Sequence, residues 1–312
     1  MISRRVLWGV GAAALALWLM KGEARAGTRI SFVTPAWLAA HSRDPGVRVL
    51  DVRREVHDYF KAHVPGAVHL AEGALRAPSH GIPVQYLPPR ILAELLARAG
   101  VTERTAVVVY SEGEGVLGAS LVAYALERIG HPRVMILDGG WAAYAASHPT
   151  TQAYPSYRPG MLFAGDVQSI RIELPEVRRL IGGERVTFVD ARPAPAYLGE
   201  TRTWIRNGHI PGARSLDWHL LVEPDNPHKI KPIAELRSLF ASRGLDERSD
   251  IVLYCGTSRE ASLEYVIARH VLGLPRVRLY EGSWTEYVAH PELPVATGPE
   301  PSPVTPLAPK AK

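Results

Sequence analysis

Apolar residues along this chain fall into short continuous runs that alternate with amphipathic stretches. Two of the runs, 106–110 (Ala-Val-Val-Val-Tyr) and 251–254 (Ile-Val-Leu-Tyr), contain no charged position. Such runs are typical of strands that are buried on both faces of a parallel sheet. The stretches 91–99 and 233–240 instead carry apolar residues at helical spacing, which predicts amphipathic helices. The alternation of the two patterns predicts an α/β fold with helices on both faces of a mainly parallel sheet.

The same ordered set of segments occurs twice along the chain. In each half an apolar strand ends in Asp-x-Arg, then come a His-x-Pro-Gly-Ala segment, the long apolar run and a Gly-Trp-type segment. Corresponding residues lie 139 to 146 positions apart, as four pairs show: Asp51 and Asp190, His63 and His209, Tyr110 and Tyr254, Trp141 and Trp284. Four ordered matches at a nearly constant offset indicate a tandem duplication and therefore two similar domains.

The duplication divides the chain into segments of different character. Each half is long enough to bury its own core. The C-terminal stretch repeats proline every two or three residues, which disfavours a packed structure. We predict a signal peptide over 1–26, domain 1 over 27–150, a linker over 151–165, domain 2 over 166–296 and a Pro-rich flexible tail over 297–312.

The N-terminus has the organisation of an export signal. Arg4 and Arg5 precede an apolar run over 6–20, and 24–26 (Ala-Arg-Ala) has small residues at the spacing that signal peptidase recognises. The run is shorter than the ~20 residues that span a bilayer, so a cleaved signal is favoured over a retained anchor, the alternative. The paired arginines also resemble the twin-arginine export pattern. We expect a periplasmic or otherwise exported protein with no membrane association beyond this signal.

The net charge adds little to this interpretation. The formal charge is +5, and segment 1–26 carries four basic residues against one acidic residue, which leaves about +2 for the remainder. That remainder contains no dense basic tract, which a nucleic-acid interface would need. We therefore expect no nucleic-acid partner.

The chain contains one cysteine, Cys255, which directly follows the apolar run 251–254. Ligands of open α/β sheets bind outside the carboxyl ends of the strands, so the loop 255–260 lies where a ligand is expected. A loop that leads into a helix directs backbone N–H groups inward, and together with the helix dipole these groups stabilise an anion. The same field lowers the pKa of a thiol, which predicts a nucleophilic thiolate at neutral pH.

The other residues of this loop are candidates for substrate binding. Gly256 permits close approach of the backbone, while Thr257 and Ser258 offer hydroxyl groups. Arg259 supplies positive charge for an anionic group, and Glu260 partly offsets it. The loop therefore suits a sulfur nucleophile that also holds an anionic sulfur adduct.

The corresponding loop of the first half lacks the nucleophile. Ser111 stands after the apolar run, and Glu112 and Glu114 would repel an anionic substrate. The Gly-x-Ser-x-Gly elbow that activates a serine nucleophile is absent from the sequence. We predict that domain 1 is catalytically silent.

Together these features resemble the tandem rhodanese family, which includes thiosulfate and 3-mercaptopyruvate sulfurtransferases. The resemblance covers about residues 30–296 and depends on the two Asp-x-Arg strand ends, the two His-x-Pro-Gly-Ala segments, the Gly-Trp-type segments and the single Cys loop. It implies two rhodanese-like α/β domains with the catalytic cysteine in the second. It also implies that Cys255 takes sulfane sulfur from a small anionic donor as a persulfide and passes it to cyanide, a thiol or a protein acceptor, without a metal or other cofactor.

Two positions depart from the family's pattern. Ser258 stands where relatives commonly have glycine, and Ala196 stands where many tandem members carry a second arginine. The residues left as candidate substrate anchors are Arg192, Arg202 and Arg206. Because the silent half keeps an equivalent of Arg192 in Arg53, a structural Asp–Arg network is an equal alternative for that residue.

Two further functions are considered beside the sulfurtransferase. An exported persulfide carrier that serves a dedicated protein partner is compatible with the missing second arginine. A cysteine phosphatase is disfavoured, because its Cys-x5-Arg loop needs an arginine six positions after the cysteine, where this chain has Ala261.

Overall fold

The computed structural model describes residues 27–183 and 185–299. The signal peptide predicted over 1–26 and nearly all of the predicted tail lie outside these residues. Within them, no helix is both long enough and apolar enough to cross a membrane.

Domain 1 contains a parallel sheet and a separate hairpin. Its elements are β1 (Arg29–Val33), α1 (Pro35–His41), β2 (Val47–Asp51), α2 (Val56–Lys61), β3 (Val68–His69), a 3-10 turn (Glu72–Leu75), β4 (Arg76–Ser79), β5 (Ile82–Tyr86), α3 (Pro89–Arg98), β6 (Ala106–Tyr110), α4 (Leu117–Arg128), β7 (Arg133–Leu137) and α5 (Gly140–Ala145). In the described chain, five strands form the sheet in the order β1-β7-β6-β2-β3, and every neighbouring pair is parallel. Strands β4 and β5 form an antiparallel hairpin outside the sheet.

Domain 2 repeats this arrangement. Its elements are a 3-10 turn (Gln168–Ile170), β8 (Arg171–Ile172), α6 (Leu174–Leu180), β9 (Thr187–Asp190), α7 (Ala194–Leu198), β10 (Arg214–Ser215), a 3-10 turn (Trp218–Leu221), β11 (Val222–Glu223), β12 (Asn226–Ile230), α8 (Ile233–Ser242), β13 (Ile251–Tyr254), α9 (Arg259–Val266), a π-helical turn (Ile267–Val271), β14 (Val277–Tyr280) and α10 (Ser283–Tyr287). The described strands of its sheet follow the order β10-β9-β13-β14-β8, again all parallel. The two strand orders are equivalent, which confirms the duplication.

The sequence patterns account for the main elements. The two long apolar runs form the central strands β6 and β13, in which every residue is buried because helices cover both faces of each sheet. The two amphipathic stretches form α3 and α8, and each of these helices begins directly after a proline. Proline is favourable at a helix start because the N–H group that it lacks would have no intrahelical acceptor there.

Helices α4 and α9, which follow the two loops, pack against each other at the domain interface. Every residue of α4 is buried, since this helix lies between its own sheet and α9. Tyr124 of α4 contacts Tyr265 of α9 edge to face, with ring centroids 5.0 Å apart. Arg128 Nε lies 2.7 Å from Glu281 Oε1 across the same interface. The loops before the two helices are therefore brought close together.

Each domain also places its hairpin against the loop region of the other domain. From β4, Arg76 Nη1 donates a hydrogen bond to the Thr257 carbonyl at 2.9 Å. In the opposite direction, Val116 N donates to the Pro227 carbonyl at 3.1 Å. The ring of His228 lies against Gly140, where a Cβ atom would come within 2.6 Å of the imidazole. The two loops are thus covered reciprocally.

Candidate active site

Cys255 follows β13 and is fully buried at the carboxyl end of the sheet. The backbone N–H groups of Thr257 and Ala261 point at its sulfur atom and lower the pKa of the thiol. The loop therefore has the N–H geometry that the strand-loop-helix pattern predicts for an anion site. Among the residues that the structure describes, no cluster of three or more His, Cys, Asp or Glu side chains is arranged for a metal ion.

The pKa of the Cys255 thiol nevertheless lies well above its ordinary value. Burial is the largest cause, and the negative charge of Glu260 and its hydrogen bond to the thiol raise the pKa further. Two N–H groups do not offset the loss of hydration of a fully buried thiolate. Burial and the charge of Glu260 therefore act against the thiolate that the loop pattern predicts, while the two N–H groups act in its favour.

Ser283 holds the loop that carries Cys255, and sequence reasoning missed it. Its Oγ accepts hydrogen bonds from Cys255 N at 3.3 Å and Ser258 N at 3.1 Å, and it donates to the Tyr280 carbonyl at 3.0 Å. Ser283 has a φ of 51°, a left-handed conformation that its counterpart Gly140 also adopts. A serine at a glycine position of the repeat was the available signal, because such strain is retained where a side chain has a role.

Two residues of the loop itself show why its shape is fixed. Ser258 has a φ of 64°, and its Oγ donates to the Glu281 carbonyl, so this hydroxyl is not directed at the sulfur. Gly256 lies against Trp204, where an added Cβ would be 2.8 Å from the indole ring. Trp204 therefore covers the loop next to Cys255, and the indole ring can come this close only because residue 256 is a glycine.

The predicted arginines differ in what they contact. Arg206 donates to the carbonyls of Leu293 and His290, both at 2.7 Å, and so holds the segment that follows α10. Arg202 is exposed to solvent. Arg259 binds carboxylates of domain 1, with 2.6 Å from Nη1 to an oxygen of Glu114. Because these partners occupy Arg206 and Arg259, the contacts do not favour the expectation that the two residues anchor a donor. Their positive charge in the sequence did not reveal these partners.

The contacts of Arg192 agree best with its alternative role, a structural Asp–Arg network. Its Nε and Nη2 bind Asp190 at 2.9 and 2.5 Å, and its guanidinium lies 4.5 Å from the ring centroid of Trp284. Arg53 makes the same contacts in domain 1, with its guanidinium 4.4 Å from the ring centroid of Trp141. In contrast to its other donors, Arg192 Nη1 is buried without a hydrogen-bond partner among the described residues.

Domain 1 contributes two further residues that the sequence did not indicate. Arg76 bonds to Thr257, as described above, and the Tyr86 hydroxyl is buried without a partner in the described part of the chain. Burial raises the pKa of Tyr86 well above its usual range, and Arg76 and Cys255 are among the groups that act on it. No local pattern marks these residues, because the contact from Arg76 spans 181 positions of the chain.

Two regions of the chain, 34–147 and 173–290, match the model of the rhodanese-like domain. The chain belongs to the rhodanese family. A "Putative thiosulfate sulfurtransferase" of Synechococcus elongatus is 43% identical over 291 residues, which cover 91% of this chain and 90% of that protein. The sulfur carrier protein TtuD of Thermus thermophilus is 29% identical over 281 residues, 86% of this chain and 97% of TtuD.

A solved structure supports the same assignment. SseA from Escherichia coli, described as a 3-mercaptopyruvate sulfotransferase with the rhodanese fold, aligns with a TM-score of 0.72 and 28% identity over 81% of this chain and 98% of SseA. This rhodanese is therefore a sulfurtransferase of the thiosulfate or 3-mercaptopyruvate type. The predictions of family, fold and enzyme class are confirmed.

Proposed function

We propose that this rhodanese moves sulfane sulfur from thiosulfate or 3-mercaptopyruvate to cyanide or a thiol by way of a persulfide on Cys255. The observation that carries the proposal is the position of the only cysteine of the chain, at the carboxyl end of the central strand with two N–H groups directed at its sulfur. The equivalent position in domain 1 is a serine, Ser111.

The reaction proceeds by double displacement. Glu260 takes the proton of the thiol, and the Cys255 thiolate attacks the outer sulfur of the donor. With thiosulfate the S–S bond breaks and sulfite leaves with the electron pair; with 3-mercaptopyruvate the C–S bond breaks and the resulting enolate is protonated to pyruvate. The acceptor then attacks the terminal sulfur of the persulfide and displaces the Cys255 thiolate, which regains its proton. The N–H groups of Thr257 and Ala261 stabilise the negative charge on sulfur throughout.

The other residues predicted to bind the substrate remain proposals, and the structure supports some of them more than others. Gly256 and Thr257 border the reacting sulfur as part of the loop. Arg192 has one buried N–H donor group without a partner, and Arg202 lies exposed in the segment that carries Trp204. These two arginines are the candidates for the anionic end of the donor. Export to the periplasm also stays a proposal, based on the sequence of 1–26.

Thiocyanate production from cyanide tests the proposal. The purified chain without residues 1–26 receives thiosulfate or 3-mercaptopyruvate in separate assays, with Cys255→Ser as the control. Steady turnover with one donor that is lost in Cys255→Ser supports the enzyme and identifies the donor. If Cys255 takes up no sulfur from either donor, the persulfide proposal is wrong.

A persulfide carrier is the second candidate function. Similarity to the sulfur carrier protein TtuD and the burial of Cys255 both favour it. A carrier would show one added sulfur on Cys255 by mass spectrometry after donor treatment, yet little multiple turnover with small acceptors. An enzyme would show both.

A further inference from the structure

We infer that the silent domain positions the catalytic loop through two carboxylates, Glu72 and Glu114, which bind Arg259 at the start of α9. We name these three residues the interdomain clamp. The inference gives domain 1 a role in the proposed sulfur transfer and rests on that proposal. In it, Glu72 and Glu114 are positioning residues, because they act on Cys255 through Arg259.

Glu72 is the buried centre of the interdomain clamp. It lies in the 3-10 turn before β4 and is 1% exposed. Its carboxylate accepts hydrogen bonds from Arg259 Nε at 2.9 and 3.2 Å, and from Arg54 Nε at 2.7 Å. The carboxylate also lies against Gly118 of α4, where an added Cβ would overlap with it. A buried carboxylate with two guanidinium partners and a glycine beside it is a specific arrangement, since an unpaired charge here would be costly.

Glu114 forms the outer part of the interdomain clamp. It belongs to the silent loop, at the position 144 residues before Ser258. One of its oxygens accepts a hydrogen bond from Arg259 Nη1 at 2.6 Å and lies 3.4 Å from Arg54 Nη1. The carboxylate that makes the first loop unsuitable for an anionic substrate thus binds the arginine of the second loop.

The position of Arg259 connects the interdomain clamp to the sulfur. Arg259 is the first residue of α9, and the two N–H groups directed at Cys255 belong to Thr257 and Ala261, two positions to either side of it. On the other side of the loop, Ser258 is held by Ser283 within domain 2. A shift of Arg259 would therefore move both N–H groups relative to the sulfur.

Two assays on the full chain separate positioning from substrate binding. The first is the alkylation rate of Cys255 with iodoacetamide across a pH series, and the second measures kcat and KM with the donor that supports turnover. Arg259→Gln should raise the alkylation rate about ten-fold, because the loop opens more often. It should lower kcat about ten-fold with little change in KM, because the N–H groups are displaced. Arg259→Lys should lie between Arg259→Gln and the parent chain, since an ammonium lacks the forked geometry.

Further variants test whether the effect crosses the domain interface. Glu72→Gln should reproduce Arg259→Gln, and the double variant should add little to either single change. Glu114→Gln, at an exposed side chain, should give a smaller change of about three-fold, and it remains informative if Glu72→Gln does not fold. Arg54→Gln is the matched control: it removes a guanidinium from the same two carboxylates but leaves Arg259 in place. It should leave alkylation and kcat near those of the parent chain.

The outcomes distinguish a failure of the interdomain clamp from a failure of the proposed sulfur transfer. An Arg259→Gln variant that only raises KM would assign this residue to the donor and overturn the positioning role. Equal effects of Arg54→Gln and Arg259→Gln would also overturn it, because the effect would then belong to domain 1 alone. If the parent chain shows no turnover, the proposed function fails, but the alkylation rates still report on the interdomain clamp.

Discussion

The Ser111 loop, which we predict to be silent, and the Cys255 loop, which we propose to be catalytic, occupy equivalent places in two domains of the same topology. They are closed in different ways. Ser111 Oγ donates to the Gly115 carbonyl at 3.1 Å within the silent loop. There the hairpin of domain 2 places His228 at the interface, with 6% of its surface exposed. At the catalytic loop the position equivalent to His228 is Val84, which is 37% exposed. The two hairpins thus place a buried imidazole at the first loop and a partly exposed valine at the equivalent position beside the second.

What the two domains share is as informative as what separates them. Both keep a buried Asp–Arg pair under a tryptophan and a histidine stacked on a tyrosine, with centroid distances of 3.8 Å for Tyr59–His63 and 3.7 Å for Tyr197–His209. Since these residues persist where there is no nucleophile, they contribute to the fold in both domains. The unpartnered Nη1 of Arg192 and the residues that differ between the copies are where a function specific to domain 2 is to be sought.

Exchanging the nucleophile between the loops should have the largest effect. Cys255→Ser should lower sulfur transfer at least about 1000-fold. The double variant Cys255→Ser with Ser111→Cys should not recover it, because Glu112, Glu114 and the domain 2 hairpin occupy the first loop. Thiocyanate assays and mass spectrometry of residue 111 measure this. Recovery to within about 100-fold of the parent chain would show that the silent loop lacks only its cysteine.

Substitution of the aspartate in either of the two Asp–Arg pairs should lower the free energy of unfolding by the same amount. Asp51→Asn and Asp190→Asn each leave a buried guanidinium without its anion, which costs about 3–5 kcal/mol of unfolding free energy. Urea unfolding of both variants measures the cost. If Asp190→Asn spares stability and abolishes turnover instead, the pair in domain 2 has a catalytic function that the pair in domain 1 lacks.

His228 should make the silent side of the interface sensitive to acid. Burial, with a smaller contribution from the charge of Arg259, lowers the pKa of His228 from 6.5 to about 4. The neutral ring is therefore favoured in the fold, so its contribution to stability is complete above pH 6.5 and falls as the pH drops toward 4. The variant His228→Gln should lose less stability over this window than the parent chain. Parallel slopes in urea unfolding would contradict the buried, neutral histidine.

The smallest change expected concerns the thiol alone. Glu260→Gln removes a negative charge that raises the pKa of Cys255, so the pKa should fall and the midpoint of the alkylation profile should move to lower pH. Turnover should decrease nevertheless, because the proposed proton acceptor is lost. Glu114→Gln, which removes an equivalent charge from the other loop, should leave that midpoint in place. A midpoint that does not move in Glu260→Gln would contradict the contact between Glu260 and the thiol.

The sequence predicted what local patterns encode. Apolar runs and a constant repeat offset were sufficient for the two sheets, and strand-end placement was sufficient to single out Cys255. The direction of Arg259 could not be predicted, because its partners Glu72 and Glu114 lie in the other domain. The burial of the thiol could not be predicted either, since Trp204 and the domain 1 hairpin contact its loop from distant parts of the chain.

The reciprocal hairpins have a consequence for the evolution of this chain. After a gene duplication, a copy that loses its nucleophile is ordinarily free to decay or to be deleted. Here the copy without chemistry supplies Arg76 to the working loop and buries the helix that follows it. Fission of the gene would expose α9 and uncover Cys255, so the half without a cysteine would be retained for its contacts with domain 2.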